Sequence, residues 1–121
     1  MAMVMIRIAA AAGTLAMLAV IGRAFAVASF GEDGATLLEL AWGQVTLVDL
    51  YLALLLGWAW IAWRERSPSR ALVWLVATVT LGSLALFTYL LGASLRAPSP
   101  TGLIIGPWRT VDTATIDLRR R

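Results

Sequence analysis

Three long apolar stretches fill most of this chain, at residues 3–30, 35–63 and 71–95. Each is longer than the ~20 residues that an α-helix needs to cross the hydrocarbon core of a bilayer. With 60% hydrophobic residues, a water-soluble protein of this length would expose much apolar surface. The sequence therefore predicts an all-α integral membrane protein, a bundle of three transmembrane helices over residues 1–96 followed by an extended tail over 97–121.

The composition excludes several kinds of chemistry. The chain has no cysteine and no histidine, which excludes disulfides, thiolate metal sites and imidazole ligands and removes the commonest general base. All ten basic residues are arginine, so no lysine is present to form a Schiff base. We expect no cofactor bound by this chain alone, and pigment, haem or lipid only where partner proteins hold them. The net charge of +3 suits anionic lipid headgroups. Most of the arginines flank apolar segments, where membrane topology and lipid contact account for them, so nucleic acid is not an expected partner.

The first apolar stretch also imitates a secretory signal peptide. Arg7 precedes an apolar run over 8–22, and the small residues of 24–26 resemble a cleavage site. Arg23 stands directly before that site, where a positive charge is unusual, and apolar residues resume up to Phe30. We therefore interpret the stretch as the first transmembrane helix, with the signal peptide as the alternative.

Two short polar loops separate the three predicted helices, and their charges bear on orientation. Residues 31–34 form an acidic loop with two glycines, whereas 64–70 carries three arginines. The positive-inside rule places this second loop and Arg7 in the cytoplasm. On the opposite side, within reach of the membrane, lie Arg23, Arg96 and Arg109. We expect a bacterial inner-membrane protein with its N-terminus inside and its C-terminus outside.

The third apolar stretch carries small or polar residues at spacings of three and four. Such a stripe lets helices approach closely where lipid provides no hydrophobic drive for association. Its members include Thr78, Gly82, Ala85 and Gly92. We interpret the stripe as a packing seam, and a cavity lining or a docking face for another subunit is the alternative.

One carboxylate lies well inside the second apolar stretch, where it costs about 2.5–3.5 kcal/mol unless it is paired or neutralised. Asp49 lies 15 positions before Arg64, and Arg23 lies 16 positions after Arg7, so antiparallel helices place Asp49 and Arg23 at matched depth. Tyr89 reaches the same level in the third helix. We predict an intramembrane cluster of Arg23, Asp49 and Tyr89. It is either a charge-neutral clasp that fixes helix register or a site where Asp49 binds a proton, a cation or a polar lipid headgroup.

The second span contains two short motifs, Thr46-Leu47-Val48-Asp49-Leu50-Tyr51 and Trp60-Ile61-Ala62-Trp63-Arg64-Glu65. Followed by a third span, they resemble a family of small bacterial and plant three-helix membrane proteins of unknown function, whose spans read T-L-x-D-x-Y and W-x-x-x-R-E. The resemblance covers residues 42–96. It implies no activity, only that Asp49, Tyr51, Arg64 and Glu65 matter together.

The tail differs in composition from the helices that precede it. Pro98 and Pro100 favour extended backbone and end the third helix. An apolar group, too short to span, is expected to dock on the interface or on a partner; it contains Leu103, Ile104, Ile105 and Trp108. Residues 110–118 are rich in β-branched side chains, so they either add as a strand to a neighbour or form part of a disordered tail whose basic end touches lipid.

No motif in the chain specifies a reaction. Small size and helix faces suited to packing favour a non-catalytic accessory or assembly subunit of a larger membrane protein complex, with the lipid bilayer and other membrane subunits as partners. A small homo-oligomeric transporter or channel with Asp49 on its path is the first alternative. A lipid-modifying membrane enzyme is the second, with Asp49, Tyr51 and Glu65 as acids and no clear nucleophile.

Overall fold

A computed structural model describes residues 1–106 as six α-helices joined by short connections. They are α1 (Ala2–Val27), α2 (Phe30–Glu39), α3 (Ala41–Arg64), α4 (Pro68–Leu81), α5 (Ser83–Arg96) and α6 (Pro100–Ile105). This described part contains no β-strand, which confirms the prediction of an all-α fold.

Two of the helices, α1 and α3, are long and apolar enough to cross a membrane. They contain 26 and 24 residues, and their most apolar windows have mean hydropathies of 2.1 and 1.9. Only 6% of the window in α1 and 11% of that in α3 is buried. A core helix of a water-soluble fold would be mostly buried, so these two helices do not have the surroundings of such a core.

The stretch 35–63, predicted as one helix, is divided at Leu40. Leu40 has extended backbone (φ −83°, ψ 125°), and the Gln44 side-chain amide donates across the break to the Leu38 carbonyl at 2.8 Å. Residues 31–34, predicted as a loop, belong to the first turns of α2. Acidic side chains in a first turn interact favourably with the positive end of the helix dipole, which accounts for helix in this segment.

The third apolar stretch, predicted as one helix over 71–95, is a helical hairpin. Gly82 separates its arms with φ 61° and ψ −136°, a conformation that glycine adopts without the steric cost of a Cβ. The arms α4 and α5 have 14 residues each, so each is about 21 Å long and shorter than a ~30 Å hydrocarbon core. The predicted third transmembrane helix is therefore not confirmed.

Ring and side-chain contacts define where the hairpin turns. The ring centroids of Trp74 and Tyr89 are 5.0 Å apart, although about 22 Å would separate these residues along one continuous helix. At the turn, a Cβ on Gly82 would lie 3.9 Å from Leu54 Cδ1 of α3. Leu54 precedes Arg64 by ten residues. The hairpin tip therefore lies about 15 Å along α3 from the end of that helix.

Helix α1 packs antiparallel to α5. Arg7 Nε and Nη2 donate to the Ser94 carbonyl at 3.1 and 3.0 Å. Six residues further along α1, Gly13 faces Phe87 so closely that a Cβ at this position would lie 2.5 Å from the ring. The start of α1, the end of α3 and the open end of the hairpin therefore lie together. We call this the arginine end, defined by Arg7, Arg64, Arg66, Arg70 and Arg96.

The hairpin changes the predicted arrangement of the charges. Arg96, predicted opposite the 64–70 loop, lines a cavity with Arg64 and Arg70 at the arginine end. Helix α6 lies there as well, because Arg64 Nε donates to the Leu103 carbonyl. The described chain thus begins and ends at the same end, whereas three continuous spans would have separated its two ends.

Candidate functional site

A buried polar cluster lies at the arginine end, where α3 meets α5. Tyr89 Oη donates to Glu65 Oε1 at 2.7 Å and accepts from Arg64 Nη1 at 3.0 Å. Arg64 and Tyr89 are only 8% and 6% exposed. Buried polar groups are costly when unpaired, and these two are hydrogen-bonded. The cluster therefore connects the end of α3 to α5 by hydrogen bonds.

Arg64 also connects this cluster to α6. Its Nε donates to the Leu103 carbonyl at 2.8 Å, and Trp60 Nε1 donates to the next carbonyl, that of Ile104, at 3.3 Å. The Leu103 side chain is buried in the same apolar core as Ile61 and Tyr89. These contacts hold α6 against the end of α3, and they use carbonyls that a six-residue helix leaves without intrahelical partners.

Aromatic contacts fix the ring of Tyr89 from two sides. The edge-on contacts of Trp60 and Trp74 have centroid distances of 5.7 and 5.0 Å and interplanar angles of 86° and 76°. Such pairs contribute about 0.5–1.5 kcal/mol beyond their burial. The Arg64 guanidinium carbon is 5.6 Å from the ring centroid, within the range of cation–π attraction. The phenol is therefore held in one orientation.

A cavity of about 840 Å³ opens beside the cluster. It lies between the end of α3, the start of α4 and the connection from α5 to α6. Its charged lining consists of Arg64, Arg66, Arg70, Arg96 and Glu65. Four positive charges against one negative charge leave this lining at +3. The Arg70–Glu65 pair, at 3.9 Å with the Arg70 side chain 76% exposed, is long and solvated and therefore weak.

The geometry favours binding over bond-making chemistry. Covalent catalysis requires a nucleophile within hydrogen-bond reach of a base, and the groups of the polar cluster are an arginine, a phenol and a carboxylate already engaged with one another. Within residues 1–106, no group of three His, Cys, Asp or Glu side chains could hold a metal ion. The cluster can stabilise the hairpin, and the cavity can attract an anion.

The structure does not bring the three residues of the predicted intramembrane cluster together. Tyr89 is bonded to Arg64 and Glu65, at the arginine end. Arg23 and Asp49 are exposed, and neither forms a hydrogen bond or ion pair with another of the described residues. The prediction assumed three straight helices, in which Tyr89 and Asp49 lie at the same depth. The chain reverses direction at Gly82, so Tyr89 lies at a different depth from Asp49.

The residues of the predicted packing stripe have different surroundings. Thr78 and Ala85, on opposite arms of the hairpin, are buried, whereas Gly82 and Gly92 are half-buried. Thr78 Oγ1 is buried and has no hydrogen-bond partner in the described part of the chain.

The predicted docking residues of the tail fall partly within α6. Leu103 is buried, Ile105 is half-buried and the Ile104 side chain is exposed. Trp108 lies outside the described residues. Leu103 docks on the chain's own core, so this part of the apolar group packs within the molecule.

Sequence reasoning missed the partners of Tyr89. The available signal was the W-x-x-x-R-E motif, which contains Trp60, Arg64 and Glu65. All three touch Tyr89 in the structure, Trp60 and Arg64 from α3 and Glu65 from the residue after it. The importance that the resemblance implied for Arg64 and Glu65 thus has a physical counterpart, whereas Asp49 and Tyr51 are exposed.

No protein-family model matches the chain, and comparisons with curated proteins and with solved structures found no match either. The resemblance to a family of three-helix membrane proteins stays a prediction.

Proposed function

We propose that this chain is an integral membrane protein and a non-catalytic accessory or assembly subunit of a larger membrane protein complex. Membrane insertion is supported by the length, hydropathy and exposure of α1 and α3. Exposed tryptophans at both ends of α3, Trp42 and Trp63, suit the two membrane interfaces. The packing of α1 on α5 through Arg7 and Gly13 supports α1 as a helix of the fold rather than a signal peptide.

The fold also supports an orientation. The hairpin gathers five arginines at the arginine end, and at the other end of the long helices the described residues offer only Arg23, next to the acidic α2. By the positive-inside rule the arginine end faces the cytoplasm. The described chain then begins and ends in the cytoplasm. Assignment to a bacterial inner membrane stays a prediction.

Cysteine labelling tests this topology, because the chain has no cysteine of its own. Ser69→Cys and Thr101→Cys are exposed at the arginine end, and Gly31→Cys is exposed on α2. In intact cells, a membrane-impermeant maleimide should label only Gly31→Cys, and permeabilisation should make the other two reactive. Labelling of Thr101→Cys but not Ser69→Cys in intact cells would contradict the hairpin, because it would place α4 and α6 on opposite sides.

The subunit proposal depends on one observation, the exposure of Asp49. This carboxylate lies about 22 Å along α3 from Arg64 and has no partner among the described residues. At this depth an exposed carboxylate is unfavourable in lipid, and intramembrane acids pair with other groups or face a polar cavity. A donor or cation from another polypeptide meets this requirement, so we assign the Asp49 face of α3 as a contact with a second subunit.

The test is extraction of the tagged chain from native membranes in mild detergent, followed by size separation and mass spectrometry. We expect unlike subunits to co-purify reproducibly. Asp49→Leu should reduce their recovery roughly tenfold, since a lost intramembrane contact of about 1–2 kcal/mol weakens binding by such a factor. The matched control, Asp33→Leu, removes an exposed acid of α2 outside the long helices and should retain the partners. A chain that migrates alone, with or without Asp49, would refute the proposal.

A homo-oligomeric transporter or channel is the second candidate. The hairpin favours it, because helices broken at membrane depth occur where they line a cavity or a substrate path. In the same experiment, this candidate predicts a discrete oligomer of identical chains that dissociates on Asp49→Leu.

A further inference from the structure

We propose that the basic cavity at the arginine end binds the phosphate headgroup of an anionic phospholipid. This inference rests on the proposed membrane location of α1 and α3. The cavity measures about 840 Å³ and is lined by four arginines and one glutamate. Phosphate is the common anion whose geometry matches a guanidinium fork, and several arginines converge here.

Of the four arginines, one is buried and hydrogen-bonded within the protein, and three are exposed at the cavity, where they can contact an anion. Arg64 is buried and hydrogen-bonded to Tyr89 and Leu103, so it attracts an anion by its positive charge more than by direct hydrogen bonds. Arg70 is highly exposed and forms a long, solvated ion pair with Glu65 at 3.9 Å. Arg66 and Arg96 are exposed and form no hydrogen bond or ion pair with the other residues of the described chain. These last two are the natural contacts for an incoming phosphate.

The start of α4 adds to this positive wall. Ser67, the N-cap residue, makes no capping bond and pairs its hydroxyl with that of Ser69 at 2.7 Å. Pro68 has no N–H, and the first-turn N–H groups that follow it lack intrahelical acceptors. The N-terminus of this 14-residue helix therefore contributes partial positive charge at the rim, where Ser67 and Arg70 line the cavity.

Position selects a lipid rather than a free anion. The cavity begins at Arg64, where the membrane-length helix α3 ends, and this is the level of the lipid phosphates if α3 spans the bilayer. Exposed Trp63 lies one residue before it, and indole rings of this kind favour the headgroup level. A lipid in the adjoining leaflet can therefore place its phosphate in the cavity while its acyl chains remain beside α3.

Native mass spectrometry of the full chain in detergent tests the inference, with phosphatidylglycerol and phosphatidylcholine offered at equal concentration. We expect phosphatidylglycerol to be retained preferentially. Replacing both Arg66 and Arg96 with glutamine should weaken its retention roughly 30-fold, at about 1 kcal/mol for each arginine near the lipid surface. Arg66→Gln alone, a change in an exposed loop residue that leaves the helices intact, should weaken it about fivefold. The control Arg23→Gln, at the other end of α1, should leave it unchanged.

Three outcomes would overturn the inference. Equal retention of the two lipids would remove the case for an anionic site, and unchanged retention in the Arg66 and Arg96 variants would place the lipid elsewhere. Displacement of the lipid by millimolar inorganic phosphate would reassign the cavity to a free anion. In each case, a protein that still requires detergent for extraction retains the proposed membrane location. Failure of the lipid site can therefore be distinguished from failure of the membrane proposal on which it rests.

Discussion

In the proposed membrane topology, replacing Gly82 with leucine is expected to open the hairpin and transfer α6 to the opposite side of the membrane. At φ 61° and ψ −136° a side chain is strained, by about 1–3 kcal/mol. Joining α4 and α5 into one helix relieves the strain and creates an apolar segment long enough to span. In the Gly82→Leu background, Thr101→Cys should therefore react with impermeant maleimide in intact cells, while Ser69→Cys stays protected.

Gly92→Leu is the matched control for this change. Gly92 belongs to the same apolar stretch but lies within α5, where its backbone is helical and an added Cβ has no neighbouring atom within 4 Å. This variant should keep the labelling pattern of the unmodified chain. If Gly82→Leu behaves like Gly92→Leu, the hairpin does not depend on the conformation of Gly82, and the contacts of Tyr89 alone must hold it.

Arg64→Leu is expected to lower the free energy of unfolding by about 2–4 kcal/mol. The hydrogen bonds from the buried guanidinium to Leu103 and Tyr89 are lost, and the Leu103 carbonyl is left without this donor. Leucine retains part of the apolar bulk of arginine, so the decrease in the free energy of unfolding reflects lost polar contacts more than lost packing. Thermal unfolding in detergent, followed by circular dichroism, measures the change, and faster proteolysis within α6 should accompany it.

Arg70→Leu provides the comparison, because Arg70 lies at the same end of the molecule, in the first turn of α4, but is largely exposed. Its loss should change the unfolding free energy by no more than about 0.5 kcal/mol. A double-mutant cycle with Tyr89→Phe should give a coupling energy of about 0.5–3 kcal/mol between Arg64 and Tyr89. Equal effects of Arg64→Leu and Arg70→Leu, or a coupling energy of zero, would show that the buried cluster does not stabilise this end of the molecule.

The helical class and the two longest helices could be predicted from the sequence, because apolar length is a property of each segment alone. The hairpin could not. Gly82 and Gly92 stand in the same apolar stretch, and an isolated glycine costs a helix only about 1 kcal/mol. Which of the two breaks the helix depends on contacts made elsewhere, above all those of Tyr89 with Glu65 and Trp74.

The candidate site was misplaced for the same reason. Counting residues along straight helices sets Tyr89 level with Asp49, and one reversal in direction moves it to the other end of α3. The W-x-x-x-R-E motif did contain the true neighbours of Tyr89. However, tryptophan and arginine near the end of a span are equally typical of a membrane interface and of a cytoplasmic loop, so the motif did not indicate a contact with Tyr89. The segment 64–70 supplies Glu65 and three of the four arginines of the basic cavity, but the fourth, Arg96, reaches it because the hairpin returns the end of α5 to the end of α3.

The short hairpin gives the molecule different cross-sections at different depths. From the arginine end to the level of Leu54 four of the described helices lie side by side, whereas beyond Gly82 the described residues continue as α1 and α3, joined by the short helix α2. In the proposed membrane setting, the described residues displace more lipid area from the cytoplasmic leaflet than from the outer one, since each helix occupies a similar width. The described part of the chain is thus wider at its cytoplasmic end, and neighbouring lipids or subunits must fill the space at the narrower end for the bilayer to remain flat.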